Sequence, residues 1–122
     1  MNSEAKFFFD TYAIIEMIKS NQNYMKYRMM PVLTSIMNYG EFYYWTLKHN
    51  ENPGRLLATL KRTMLVIEEG DMNEAVEFRF KNKHRKLSYV DCIGYAMAKR
   101  RELIFLTGDN QFRDLPNVEF VK

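Results

Sequence analysis

Apolar runs alternate with segments of helical periodicity along this chain. Lys6-Phe7-Phe8-Phe9 is a short apolar run ended by Asp10, and Tyr12, Ala13, Ile14, Ile15, Met17 and Ile18 follow at helical spacing. The pattern predicts strand, tight turn and helix, with Asp10 near the helix N-cap. A polar break at 20–23 precedes a second helical segment over 24–30, which Pro31 ends or redirects. Val32-Leu33-Thr34-Ser35-Ile36 reads as a second strand, 37–40 as its connection, and Glu41 as the opening of an aromatic helix through Leu47. The stretch 49–54, with Pro53 and Gly54, is a loop. Leu56, Leu57, Leu60 and Met64 return to helical spacing, 64–67 reads as a third strand, and Asp71 as the cap of a helix holding Ala75, Val76, Phe78 and Phe80.

The stretch 88–112 organises the rest. Ser88 and Asp91 have the spacing of a capping box, and small residues at 94, 96 and 98 let the helix lie close on a sheet. Lys99, Arg100 and Arg101 suit the helix dipole in the last turn. Leu103-Ile104-Phe105-Leu106 is a continuous apolar run, as for a strand covered on both faces. Thr107-Gly108-Asp109-Asn110 then places an acid just beyond the strand's C-terminal end, the edge at which open parallel sheets bind ligands. Residues 118–121 alternate as a final edge strand. Strands separated by helices over 122 residues predict a single domain, a three-layer α/β/α sandwich with a mostly parallel central sheet.

Composition narrows this only a little. Hydrophobic residues at 47% and charged residues at 27% are an ordinary globular balance, and the formal charge of +3 permits a nucleic-acid partner without demanding one. Cys92 is the only cysteine, which excludes an intrachain disulfide and a zinc–thiolate cluster. Residues 1–6 lack the apolar core of a signal peptide and no stretch reaches the length of a membrane span, so a cytoplasmic protein is expected. No phosphate-cradling glycine loop is present. The aromatic and Met-rich segments 24–30 and 42–47 exceed what so small a core buries, which predicts a homodimer.

The candidate chemistry lies in the acids. Asp10, Glu41, Asp91 and Asp109 each fall at or just beyond a strand end or strand-to-helix crossover, and in a parallel sheet those ends share one edge. Convergent carboxylates repel unless a cation neutralises them, and oxygen ligands suit Mg²⁺ or Mn²⁺. Such an ion activates a water and neutralises charge on a phosphodiester, which implies hydrolysis without a covalent intermediate. Each acid also has a purely structural reading: Asp10 and Asp91 as caps, Asp109 as a turn former, Glu41 as a first-turn acid.

F-F-F-D at 7–10, N-Y-G-E at 38–41, Y-V-D-C-I-G-Y-A-M-A at 89–98 and L-T-G-D-N-Q-F at 106–112 together resemble the PIN-domain family, and within it the small VapC-type toxin ribonucleases. The resemblance implies a PIN-like fold, a Mg²⁺ or Mn²⁺ site made by Asp10, Glu41, Asp91 and Asp109, and cleavage of single-stranded RNA. It further implies a homodimer and a small antitoxin partner, and gives Thr107 the role of orienting a carboxylate or a water. Tyr12 stands where such relatives carry Ser or Thr, and Gln111 where some carry a further acid. These departures keep a rival open, a PIN-like RNA- or protein-binding module without hydrolysis; Asp114, the nearest spare carboxylate, reads as a surface residue.

Lys81, Lys83, Arg85 and Lys86 form a basic cluster upstream of Asp91, either phosphate-holding or simply a solvated face. His49 and His84 have no partner at metal-ligand spacing. Tyr43, Tyr44 and Trp45 are read as core or dimer contacts, with base stacking as the alternative.

Overall fold

A computed structural model describes residues 5–122; positions 1–4 of the charged N-terminal segment lie outside the described residues. The elements run β1 (Phe7–Phe9), α1 (Thr11–Ile18), β2 (Thr34–Ser35), α2 (Ile36–Lys48), α3 (Leu56–Arg62), β3 (Met64–Leu65), α4 (Glu69–Lys81), α5 (Tyr89–Arg100), β4 (Ile104–Thr107) and β5 (Val118–Phe120). Short 3₁₀ turns occupy Gln22–Tyr27, Lys83–Arg85 and Asn110–Phe112.

Every strand pairing is parallel: β1 with β4, β4 with β5, and β2 with β3. A bridge from Phe8 to Leu33, with the Phe9 N–H donating to the Leu33 carbonyl at 2.8 Å, joins the two sheets along one line. The sheet therefore reads β3-β2-β1-β4-β5, with β5 at an edge as the sequence predicts. From β1 the chain moves outward to β2 on one side, while β4 returns on the other. This reversal is a topological switch point, and a crevice opens there beyond the C-terminal strand ends.

Successive strand side chains point to opposite faces, and the phenylalanines of β1 divide accordingly. Phe8 joins Phe105, Cys92, Tyr95, Met97 and Phe112 beneath α4 and α5. Phe7 and Phe9 join Ile14, Tyr24, Phe42, Leu60 and Leu106 beneath α1, α2 and α3. Two cores on the two faces make the three-layer α/β/α sandwich. Gly94 sets one layer spacing: a Cβ there would meet the Phe8 ring at 2.9 Å and the Phe105 ring at 3.2 Å. Cys92 is fully buried, a small core residue as read.

The structure corrects several boundaries. The segment 24–30 is mostly a 3₁₀ turn, its Tyr24 and Tyr27 buried. Residues 37–40 are helical rather than a connection: Ser35 caps α2 through the Asn38 N–H, so the helix starts directly after β2 and Glu41 falls in its second turn. Asp71 is not the cap of α4 but the third residue after it, accepting the Glu68 N–H at 2.7 Å.

Candidate active site at the sheet switch point

Parallel register puts the ends of β1 and β4 side by side, with Phe9 opposite Leu106. Asp10 and Thr107 follow at once. The Asp10 N–H donates to the Leu106 carbonyl, and the Thr107 hydroxyl donates to Asp10 Oδ2 at 2.7 Å. Asp10 stands at the N-cap position of α1, yet its carboxyl makes no capping hydrogen bond. It is 3% exposed.

Asp91, Asp109 and Glu41 stand on different elements, and their charges bear on one another and on Asp10. Asp91 closes a capping box at the start of α5, accepting the Ser88 N–H on Oδ2 at 2.9 Å while the Ser88 hydroxyl accepts the Asp91 N–H. Asp109 accepts the Gln111 N–H on Oδ1, and its own N–H donates to the Thr107 hydroxyl. Glu41 accepts the Thr11 hydroxyl on Oε1 at 2.6 Å. Thr11 in turn accepts from Asn38, whose amide oxygen takes the Ser35 hydroxyl. Each acid is thus held by at least one hydrogen bond from its own neighbourhood.

Burial, then the neighbouring charge of Asp91, pushes the Asp10 carboxyl up to about 7 despite the Thr107 hydrogen bond; Asp109 adds to the rise. Asp91 is raised as well, by burial first and then by Asp109 and Glu41. Mutual repulsion links all four groups. Only Asp10 is buried, Asp91 and Asp109 are half-buried and Glu41 is exposed; oxygen-only donors that repel one another suit a hard divalent cation. Among the described residues no three His, Cys, Asp or Glu side chains stand close enough together to hold a metal ion as they are placed here.

Tyr12 has a packing reason. A Cβ at Gly108 would come within 2.3 Å of the Tyr12 ring and of the Val121 carbonyl, so the glycine makes room for a tyrosine beside the turn. Gln111 serves through its backbone, shaping the Asp109 turn and accepting Arg85 on its carbonyl. The basic cluster is split by the fold. Arg85 is clamped to Asp114 through both guanidinium nitrogens at 2.8 and 3.2 Å, and Asp114 is a surface residue as read, its side chain 71% exposed. Lys81 lies between α4 and α5 beside Glu74, Glu77 and Lys99, away from the acids. Lys83 and Lys86 share a small recess with Arg79 at the approach to α5. Sequence reasoning missed Thr11 and Asn38, which come together only because α1 packs on α2, and missed Arg79.

The PIN domain family matches residues 7–118, nearly the whole chain. The chain belongs to the PIN-domain family. Among solved structures it is similar to a toxin–antitoxin complex from Klebsiella pneumoniae, at 21% identity, TM-score 0.73, covering 94% of this chain and 96% of that one. It is also similar to Mycobacterium tuberculosis VapC20, a sarcin–ricin loop cleaving toxin, at 17% identity, TM-score 0.75, covering 96% and 100%. PAE2754 from Pyrobaculum aerophilum follows at 13% identity, TM-score 0.69, covering 95% and 90%. These likenesses establish the fold. No protein of curated function matches the chain. No helix among the described residues is long and apolar enough to cross a membrane.

Proposed function

We propose that this PIN domain is a divalent-metal-dependent endoribonuclease that hydrolyses single-stranded RNA, the toxin of a toxin–antitoxin pair. One observation carries the reading: Asp10 is buried at the switch point beside other acids, caps nothing, and is pushed up to about 7. A fold bears such an acid at a cost unless the acid has a use.

Asp10, Asp91, Glu41 and Asp109 would be the residues to hold Mg²⁺ or Mn²⁺. The ion supplies an activated water and neutralises the phosphodiester. Thr107 fixes the Asp10 carboxyl and the Asp109 backbone, and the Ser35–Asn38–Thr11 relay fixes Glu41. Lys83, Lys86 and Arg79 hold phosphates of the incoming strand. The exposed Met29, Leu47, Val66 and Phe80 serve a homodimer and a small antitoxin protein, in keeping with the toxin–antitoxin complex that the fold resembles.

Asp10→Asn keeps shape and removes charge. Cleavage of a mixed-sequence RNA with Mn²⁺ falls roughly a hundredfold or more, since even residues that only orient metal ligands are worth ten- to a hundredfold. Full cleavage by Asp10→Asn, or by the wild type in EDTA, overturns the assignment. A binding module without hydrolysis binds RNA in both proteins and shows no Mn²⁺ response.

A further inference from the structure

A recess beside the acid edge, between α2 and the start of α5, is lined by Ile36, Met37, Gly40, Glu41, Tyr44 and Val90 and holds about 340 Å³. Its wall includes Glu41 and also Val90, the residue before Asp91 in α5. Gly40 leaves it open: a Cβ there would meet nothing within 4 Å. Tyr44 follows one turn later and is 68% exposed. The neighbouring aromatics are committed elsewhere, Tyr43 against Tyr39 and Trp45 between Phe42 and His49, whereas Tyr44 has no aromatic partner among the described residues. The lining holds no cation, and its one charge, Glu41, repels phosphate.

Across the start of α5 lies the contrasting recess of about 130 Å³, with Arg79, Lys83 and Lys86 beside Leu87. Leu87 precedes the Ser88–Asp91 capping box and Val90 lies within it. A strand laid over the acids therefore meets cations on one side and an apolar, aromatic shelf on the other. Cations suit a backbone; a flat neutral surface next to Tyr44 suits a base.

We infer that the α2–α5 recess seats a nucleobase flanking the scissile phosphodiester, stacked on Tyr44, so that this tyrosine and Gly40 set the cleavage preference. The inference rests on the nuclease reading, but binding tests it separately. A labelled mixed-sequence single-stranded RNA is titrated in EDTA, and cleavage positions are mapped with Mn²⁺. Tyr44→Ala weakens binding about tenfold and Tyr44→Phe restores it, as stacking requires. Gly40→Leu, which the helix accepts, fills the recess and reproduces the loss; both variants shift the cleavage positions. An abasic nucleotide beside the cleaved bond weakens binding to the wild type but not to Tyr44→Ala. Folded Tyr44→Ala and Gly40→Leu proteins that bind within twofold of wild type and cut at the same positions overturn the inference and leave the recess to a protein partner. Loss of binding in both variants without Mn²⁺-dependent cleavage by the wild type sinks the nuclease reading and keeps the base site. A wild type that binds no RNA sinks both.

Discussion

At the end of β4 a single hydroxyl serves two acids, since Thr107 donates to Asp10 and accepts from the backbone of Asp109. Its hydrogen bond to the charged carboxylate holds Asp10 below where burial alone would put it. Thr107→Val removes that donor at a fully buried position, so the Asp10 pKa rises further and the acidic limb of the pH–rate profile moves to higher pH. Thr107→Ser keeps the donor and the limb stays in place; equal profiles for all three proteins would deny Thr107 this role. Asp10, Asp91, Thr107 and Asp109 were legible in the sequence because each sits against an apolar run or a capping pattern, features that short-range periodicity exposes. Thr11 and Asn38 were not, because their hydrogen bond to one another exists only once two helices have docked. Glu41 was legible as an acid of the candidate site but misplaced by about one and a half helical turns, since the Ser35 cap was not read.

Among the elements, α4 and α5 make the most extensive helix pair, and a buried acid locks them. Asp71 is 0% exposed and receives Arg100 at 2.7 Å and Arg101 at 2.7 and 2.9 Å. Burial alone would raise its carboxyl, but hydrogen bonds from Arg101, the Glu68 N–H and Arg100 outweigh it and hold the group at about 2. Asp71→Asn leaves two guanidinium groups without their acceptor charge and costs about 2–4 kcal/mol in urea unfolding, with RNA chemistry unchanged in the folded fraction. A change under about 0.5 kcal/mol would contradict the lock. The sequence concealed it: Asp71 read as a cap and the two arginines as dipole partners, both sufficient local explanations. Strands β2 and β3 shrink to two residues each for a similar reason, because apolar spacing marks where a strand is covered, not where its ladder stops. The basic loop divides by the same logic of partners. Lys83→Ala and Lys86→Ala each lower the salt slope of single-stranded RNA binding by about 0.7, whereas Asp114→Ala leaves that slope unchanged or steepens it by freeing Arg85.

For the whole molecule, the parallel sheet with its reversal between β1 and β4 concentrates negative charge at one edge, and folding works against that charge. Asp10 rises from an ordinary 3.8 to about 7, so the folded protein binds the proton more tightly than the unfolded chain. The stability this gives is fully present below about pH 4 and is lost as pH climbs through 7, a loss on the order of 4 kcal/mol. Asp71 acts in the opposite sense: its contribution is present above pH 4 and disappears as pH falls through about 2. Metal-free protein is therefore most stable in mild acid, and its melting temperature falls between pH 5 and pH 8. Mn²⁺ reverses that fall by taking the place of the proton; at a hundred times its Kd it adds about 2.7 kcal/mol, several degrees in a domain of this size. At pH 5 the ion must displace a bound proton and the gain shrinks. Asp10→Asn carries no charge to relieve, so calorimetry should find it more stable than metal-free wild type at pH 8, flatter with pH, and unresponsive to Mn²⁺. A wild-type melting temperature that ignores Mn²⁺ at pH 8 would mean that the acid edge holds no metal, and the cost of burying Asp10 would then need another explanation.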